Sequence, residues 1–380
     1  MRVVMFYHSL LSDWNHGNAH FLRGVAWELT SRGHTVDVLE PADGWSLTHL
    51  LAEQGEEALQ GVAEAYPGLT STRYALRELD LTRALDEADL VLVHEWNEPA
   101  LVEAIGHHRA VAGGYHLLFH DTHHRSITAP QEMGGYDLSH YDGVLAFGEV
   151  VRARYLQEGW AERVWTWHEA ADVRLFRPSP GVHHESDLVW IGNWGDDERT
   201  AELEEFLVRP VELLHLSARV YGVRYPGAAL ERLRHAGIEF GGWVPNYRVP
   251  EIFARFHATV HIPRRPYVEA LPGIPTIRVF EALACGIPLV SAPWDDAERL
   301  FAPGDFLVAR SGAEMRRQLT ALLTDPEAAA DMARRGRETI LARHTCAHRV
   351  DELLAIVAEL RADETRRESW AGTHRSQPAL

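Results

Sequence analysis

The chain has 380 residues, with 37 Lys and Arg against 55 Asp and Glu, which gives a formal net charge of −18. A single hydrophobic core stops growing at about 250 to 300 residues, so this length predicts two domains. The negative balance and the absence of a basic tail argue against a nucleic acid partner. Two cysteines and no apolar run of about 18 residues predict a cytoplasmic protein without disulfides, a targeting signal or a transmembrane segment.

The first half of the chain alternates short apolar runs with amphipathic stretches of helical length, which is the pattern of parallel βαβ units. A helix is predicted over 18–32, because apolar residues recur every four positions from Phe21 to Leu29. The predicted strands cover residues 2–7, 34–40, 88–95, 115–121, 143–148 and 163–168.

A second series of strands follows an irregular segment with two prolines at 169–186, which predicts a linker. The strands of this series are predicted at 187–192, 215–222, 238–244, 258–263, 288–293 and 305–309. The helices between them are predicted at about 197–208, 227–236, 249–256, 276–285 and 313–324.

The alternation predicts an α/β protein with two doubly wound, Rossmann-like domains that face one another across a cleft. We expect an N-terminal domain at 1–168, a linker at 169–186, a C-terminal domain at 187–345, and a C-terminal helix with a tail at 346–380 that can cross back to the first domain. Ligands of such sheets bind beyond the carboxyl ends of the strands, so the loops there carry the candidate site.

The segment TIRVFEALACGIPLVSAPW, residues 276–294, predicts a helix, a glycine stop and a buried strand. Its start, with Gly273, Ile274 and Thr276, predicts an anion site, because free N–H groups and the helix dipole favour a phosphate there. Glu281 lies inside the apolar helix, about 9 Å along the axis from that start. This distance suits a carboxylate that accepts hydrogen bonds from the ribose of a nucleotide. In a second interpretation, Glu281 pairs with Arg278 or another basic side chain and only fixes the helix.

The turn GNWG follows a predicted strand and leads to the helix that contains Arg199. Gly192 allows a ligand to approach the backbone beside Asn193, and the Arg199 guanidinium suits a diphosphate. Arg264 and Arg278 are rival phosphate ligands. An ordinary turn with a solvated arginine is the alternative.

The turn GWVPNY, residues 242–247, follows another strand. Val244, Pro245 and Tyr247 are candidates to flank a nucleobase, whose identity the sequence leaves open. The alternative is a turn with aromatic residues that only separates the strand from the following helix and binds no ligand.

The segment FHDTHHRS, residues 119–126, ends a strand of the first half with three histidines and Asp121. Histidine and carboxylate side chains are ligands for zinc or iron, so a metal site is one interpretation. The others are an incidental loop and a cluster that contacts a substrate in the cleft. His120 and Asp121 are the preferred contacts, because they lie nearest the predicted strand end.

Three segments together resemble the donor half of retaining GT-B glycosyltransferases, in particular the CgeB-like branch of the spore maturation protein type. These segments are LVWIGNWGDDERT from 188, GWVPNYRVPEIFARFHATVHIPRR at 242–265, and RVFEALACG at 278–286. The resemblance covers most of residues 187–350 and implies a GT-B fold with a donor-binding C-terminal domain and an acceptor-binding N-terminal domain. The wider family carries a further glutamate eight positions before the one on the ribose, where this chain has Gly273, so the donor sugar stays open.

The resemblance implies transfer of a sugar from a nucleoside-diphosphate sugar to a hydroxyl acceptor, with retention of configuration and without a metal or another cofactor. Arg199, Arg278 and the amides at the helix start would then stabilise the leaving diphosphate. His120 and Asp121 would contact the donor. The expected partners are a nucleotide sugar and an unidentified glycan, metabolite or protein acceptor.

The resemblance extends to the loop after the first strand, where GNAHFLRGVAWELTSRGHTV is similar to the opening helix of the family. It implies that Gly17, Asn18 and His20 face the cleft, although Asn18 is equally explained as a helix cap. Glu95 and Glu98, in the segment HEWNEP, are candidates to face the acceptor.

Two alternatives keep the same fold: a sugar-nucleotide epimerase and a non-catalytic protein that binds a nucleotide sugar. A phosphorylase with pyridoxal phosphate is excluded, because the chain has no lysine to hold that cofactor and all 37 of its Lys and Arg residues are arginine.

Overall fold

The computed structural model describes residues 1–375, without the side chains of Asp196 and of residues 368–375. The strands of these residues form two parallel sheets. The first sheet contains β1 (Arg2–Phe6), β2 (Thr35–Pro41), β3 (Thr72–Tyr74), β4 (Leu90–His94), β5 (His116–Asp121), β6 (Gly143–Ala146) and β7 (Val164–Thr166). Its strand order is β3-β2-β1-β4-β5-β6-β7. The inner strands are apolar along their length because helices cover both faces of a parallel sheet.

Helices of the first half connect these strands. They are α1 (Ala19–Ser31), α2 (Trp45–Gln54), α3 (Glu57–Ala65), α4 (Leu81–Ala84), α5 (Pro99–Ala112), α6 (Arg125–Thr128), α7 (Pro130–Met133) and α8 (Glu149–Glu158). A 3₁₀ turn spans Leu76–Glu78.

The second sheet repeats the same winding in the second half. Its strands are β8 (Ser186–Ile191), β9 (Ala218–Tyr221), β10 (Ile238–Phe240), β11 (Phe256–His261), β12 (Leu289–Ser291) and β13 (Leu307–Val308), in the order β10-β9-β8-β11-β12-β13. Its helices are α9 (Thr200–Leu203), α10 (Arg209–Leu214), α11 (Gly227–His235), α12 (Val249–Phe253), α13 (Arg265–Ala270), α14 (Ile277–Cys285), α15 (Gly312–Thr324), α16 (Pro326–Arg343) and α17 (Cys346–Arg375), with 3₁₀ turns at Asp196–Glu198 and Asn246–Arg248.

The strand order reverses beside β1 and β4 in the first sheet and beside β8 and β11 in the second. Loops diverge at such points and leave a crevice for a ligand. The prediction of two doubly wound α/β sheets is therefore confirmed, and the two reversal points set the position of the site.

One predicted helix is interrupted. The segment expected as a single helix at 197–208 consists of a 3₁₀ turn, α9 and a π-helical stretch at Glu204–Val208 that continues into α10. Pro210 has no N–H to donate to the carbonyl four residues earlier, which favours the wider π turn before it.

The last helix, α17, packs on the first half of the chain. The Trp167 indole N–H donates to the Arg349 carbonyl at 2.8 Å, and Arg361 lies 3.3 Å from Asp89. Helix α17 runs to Arg375, and the rest of the expected tail, 376–380, lies outside the described residues. Among the described helices, none has both the length and the apolar character needed to span a membrane.

Gly24 lies where α1 meets α17, and its alanine variant tests this packing. A β-carbon there would lie 2.5 Å from the Cys346 sulfur and 2.9 Å from the Asp172 β-carbon. Overpacking costs about 1–3 kcal/mol, which outweighs the gain of about 1 kcal/mol in helix propensity. We expect Gly24→Ala to lower the thermal unfolding midpoint.

Gly227→Ala is the matched control. Gly227 is also a helical residue, the first of α11, but no atom lies within 4 Å of a β-carbon added there. Its midpoint should stay at or above that of the wild type. Equal stability of the two variants would contradict the close α1–α17 contact.

Candidate functional site

The carboxyl edges of both sheets face a cleft of about 1290 Å³. Its first wall comes from the loops after β1, β2, β3, β4, β5 and β7, and its second wall from the loops after β8, β9 and β11 and from the start of α14. Both points of strand reversal therefore open into one space, as expected for a ligand site in this class of sheet.

Three arginines that lie close together, Arg199, Arg264 and Arg278, line the second wall, which also carries Arg224. Arg199 is buried and donates to the carbonyl of Ile262 at 3.0 Å and to the carbonyl of Asn193. In the part of the chain that the structure describes, it forms no ion pair, and its Nε atom has no hydrogen-bond partner. Burial, with Arg264 and Arg278 nearby, lowers the pKa of Arg199 from 12.5 to about 9, so the group is still charged at neutral pH.

The other two arginines each have one carboxylate partner. Arg264 lies 3.4 Å from Glu198, and Arg278 forms an ion pair with Glu281. These three guanidinium groups thus face two carboxylates, in a chain whose overall charge is strongly negative. Such a local excess of positive charge suits an anion, and guanidinium groups bind phosphate oxygens in pairs.

Glu281 is fully buried in α14 and lies behind Arg278. Its other carboxylate oxygen is 2.9 Å from Nδ1 of His20, which is also fully buried. The sequence-based alternative of a pair with Arg278 is therefore present in the structure. The expectation that His20 faces the cleft is wrong, because α1 places this ring beneath the cleft surface, against Phe176.

Glu169 is a site residue that the sequence analysis missed. It is 5% exposed, lines the cleft and lies close to Glu281 and Asn18. Burial, and then the charge of Glu281, raise its pKa to about 8, while a hydrogen bond from Asn18 acts in the opposite direction. Its position just after the last predicted strand of the first half could have indicated a site residue, but the sequence pattern places it in the predicted linker.

A smaller pocket of about 70 Å³ opens beside the cleft. Val244, a candidate to flank a nucleobase, lines it together with Trp243, Asn246 and residues of the loop after β1. The Asn246 side chain donates to the Gly17 carbonyl at 3.1 Å, so this pocket lies between the two halves.

Pro245 and Tyr247 do not line either space, in contrast to the prediction. The Tyr247 phenol instead lies against Gly61 in α3. The 3₁₀ turn that follows Pro245 directs this side chain away from the pocket.

The loop before α14 is partly turned away from the cleft. Gly273 has φ +89°, and a β-carbon there would lie 2.5 Å from the Glu298 side chain. Ile274 is buried against Gly148 of the first half. Gly273 therefore packs within the second half and Ile274 packs against the first half, and neither lines the cleft, whereas Thr276 does.

Several predicted residues do line the cleft. Gly17 and Asn18 are present in the first wall, and Gly192 and Asn193 in the second. Asn193 also contacts Asn15 and accepts a hydrogen bond from the Val223 amide at 3.1 Å, so this side chain joins the two walls.

His120 and Asp121 are fully buried and do not reach the cleft, so their predicted placement is wrong. Strand β5 continues through Asp121, whose carboxylate accepts from the Tyr155 hydroxyl at 2.9 Å. The next residues, Thr122, His123 and His124, line the cleft instead. Burial lowers the pKa of His123 to about 2 and that of His124 to about 4, so both rings are neutral at pH 7.

Glu95 does not face the cleft either. It is fully buried, pairs with Arg125 and lies 3.4 Å from the Thr122 hydroxyl. The side chain of the next residue, Trp96, lines the cleft in its place. Among the described residues, only Glu103, His107 and Asp137 bring three carboxylate or imidazole ligand atoms within 4.8 Å of one another, and they are exposed outside the cleft.

The protonation of Glu169 predicts a pH-dependent stability. The unfolded chain loses this proton near the ordinary pKa of 4.5, whereas the folded protein keeps it up to about 8. Stability should fall as pH rises between these values, because only the unfolded state releases the proton there. Glu169→Gln removes this effect. The melting temperature of the variant minus that of the wild type should therefore increase between pH 5 and pH 8.

The matched control is Glu239→Gln, which changes an exposed carboxylate that pairs with Arg219. Its difference from wild type should show no rise between the same two pH values. A constant difference for Glu169→Gln as well would contradict a buried, protonated Glu169.

Residues 199–355 match the sequence model of a family described as glycosyl transferase-like. No curated protein matches the chain.

Solved structures with low sequence identity share the whole fold. HepE from Anabaena in complex with UDP and glucose is 14% identical, with a TM-score of 0.66 over 94% of this chain and 100% of that one. Sucrose-phosphate synthase from Thermosynechococcus elongatus is also 14% identical, with a TM-score of 0.63 over 95% of this chain and 99% of that one. A glycosyltransferase from Rickettsia africae is 11% identical, with a TM-score of 0.62 over 94% and 98%.

The likeness in three dimensions extends over both sheets, while the family match falls on the half that carries the arginines. The chain therefore has the GT-B fold, and its residues 199–355 are similar to a family described as glycosyl transferase-like.

Proposed function

We propose that the protein transfers a sugar from a nucleoside-diphosphate sugar to an acceptor hydroxyl, and that Arg199, Arg264 and Arg278 hold the diphosphate. The observation that carries this proposal is Arg199, a buried and charged guanidinium without an ion pair among the described residues. A buried charge is costly unless it is paired. A diphosphate in the cleft supplies the missing negative charge.

The nucleoside is proposed to enter the smaller pocket beside the arginines. Trp243 and Val244 offer apolar surface there, and Asn246 offers an amide close to the same space. Arg278 lines both this pocket and the cleft, which is consistent with a phosphate that lies where the two spaces meet. The second half would then bind the donor, and the first half the acceptor.

Glu281 is proposed to bind the ribose after Arg278 moves to the diphosphate. In the ligand-free arrangement, Arg278 occupies one oxygen of the Glu281 carboxylate and His20 lies at the other. Transfer of Arg278 to a phosphate frees the first oxygen for a ribose hydroxyl. The pair thus keeps the buried carboxylate neutralised until the donor arrives.

Departure of the diphosphate places negative charge next to the arginines, which stabilise it in the transition state without a metal. We further propose retention of anomeric configuration, with the departing phosphate taking the proton of the acceptor hydroxyl. The arrangement then needs no enzyme nucleophile and no cofactor. The motif Arg-x-Phe-Glu-Ala-x-Ala-Cys-Gly supports placement in the CgeB-like branch.

UDP-sugars are the first donors to test, because HepE has been crystallised with UDP-glucose. We expect one nucleotide sugar of a UDP, GDP, ADP and dTDP panel to raise the thermal midpoint, since a ligand at about 100 times its Kd adds about 2.7 kcal/mol to the free energy of unfolding.

Transfer of the sugar should persist in EDTA, and NMR should show a product with the donor's anomeric configuration. No shift with any donor would contradict the proposal, and inversion or an absolute metal requirement would contradict the mechanism.

Arg199→Gln tests the diphosphate site within the same assay. Loss of a preorganised charge at a leaving group costs about 10²-fold or more in rate, so we expect kcat to fall by at least this factor. Arg219→Gln, which removes an arginine paired with Glu239 outside the cleft, is the matched control and should retain activity. Full activity of a folded Arg199→Gln protein would exclude the proposed role.

Glu281→Gln separates ribose binding from a purely structural role. Hydrogen bonds to charged groups contribute about 1.5–3 kcal/mol, so UDP should bind roughly 10- to 100-fold more weakly. Pyrophosphate, which has no ribose, should bind at least as tightly as in wild type, because Arg278 is released from Glu281. Calorimetric titration that finds the same loss for both ligands would contradict a ribose contact.

A further inference from the structure

Two tryptophans are exposed in the cleft. Trp45 is 51% exposed and Trp96 is 44% exposed, and both line the first wall. Among the tryptophans whose side chains the structure describes, only these two are exposed. Exposed aromatic surface inside a concave site is typical of ligand contact.

Each ring is held in place before a ligand arrives. Trp45 begins α2, and its ring centre lies 4.9 Å from that of Trp14 and 4.7 Å from that of His49. The Arg125 guanidinium lies 3.8 Å from the centre of the Trp96 ring, and the His123 ring is 4.9 Å away. Both indoles therefore have fixed orientations, which lowers the entropy lost on binding.

The two rings flank the end of β1. Trp45 follows β2 and Trp96 follows β4, and these strands lie on either side of β1. Neighbouring strands are about 4.8 Å apart, so the two loops leave their strands about 10 Å from each other. His8, at the end of β1, lines the space between them.

The charges of the cleft differ between its two walls. Near the tryptophans, the described residues that line the cleft include the carboxylates of Asp43, Glu78 and Glu98 and the guanidinium of Arg77. Arg125, which lies on the Trp96 ring, is already paired with Glu95. The opposite wall carries the diphosphate arginines. An anionic acceptor is therefore disfavoured beside the tryptophans, whereas hydroxyl groups can donate to the carboxylates.

We propose that Trp45 and Trp96 form an acceptor subsite for an uncharged saccharide. The apolar C–H face of a pyranose ring packs on an indole, while its hydroxyls reach Asp43, Glu78 or Glu98. The acceptor hydroxyl then lies between this subsite and the donor arginines across the cleft. This inference rests on the proposed function and names the acceptor class that the proposed function leaves open.

The test is calorimetric binding of neutral disaccharides, such as maltose and cellobiose, to the full chain with UDP present, compared with glucuronate and with phenol. At least one neutral disaccharide should bind to the wild type more tightly than both comparison ligands. Trp45→Ala and Trp96→Ala should each weaken that binding about tenfold, and the Trp→Phe variants should recover most of it.

Leu213→Ala, which changes a 59% exposed apolar residue outside the cleft, is the matched control and should bind like wild type. Binding of UDP reports on the donor site separately, so loss of the proposed function appears as absent UDP binding in the wild type. With UDP bound, the subsite is excluded by any of three results: no disaccharide binds, the alanine variants bind as tightly as wild type, or phenol or glucuronate binds as tightly as the disaccharides.

Discussion

The excess of guanidinium groups over carboxylates on the second wall of the cleft is the constraint on which the rest of the site depends. Arg199 hydrogen bonds to two carbonyl groups where β8 and β11 diverge, but it has no ion pair in the described chain. Burial makes this charge expensive, and the neighbouring arginines add repulsion. The fold tolerates this cost at one end of a sheet, where an anionic ligand can remove it.

The same region joins the two halves of the chain. Asn193 contacts Asn15, Asn246 donates to the Gly17 carbonyl, and Glu281 lies beside His20. Each of these pairs has one residue in each half and lies at or just behind the cleft. A ligand that draws Arg278 away from Glu281 therefore acts on contacts that also fix the relative position of the two sheets. In the proposed function, donor binding and the geometry of the cleft would be linked through this layer.

Much of the fold was predictable because both faces of a parallel sheet are buried, which leaves continuous apolar runs in the sequence. Strand β3 was missed because two of its three residues are exposed. The end of β5 was predicted correctly, but a single sequence does not reveal that Trp167 packs against His120 and that the Tyr155 hydroxyl donates to Asp121, which buries both side chains. Glu169 was missed for a related reason, since only the three-dimensional structure brings the start of the connecting segment next to Glu281.

The central claim concerns where the diphosphate binds, and a crystal structure of the protein with UDP tests it most directly. The account predicts phosphate oxygens within hydrogen-bond distance of Arg199 and of Arg264 or Arg278. It also predicts that Arg278 has left Glu281 and that a ribose hydroxyl has taken its place. UDP bound away from Arg199, or bound with the Arg278–Glu281 pair intact and the ribose distant from Glu281, would contradict this account.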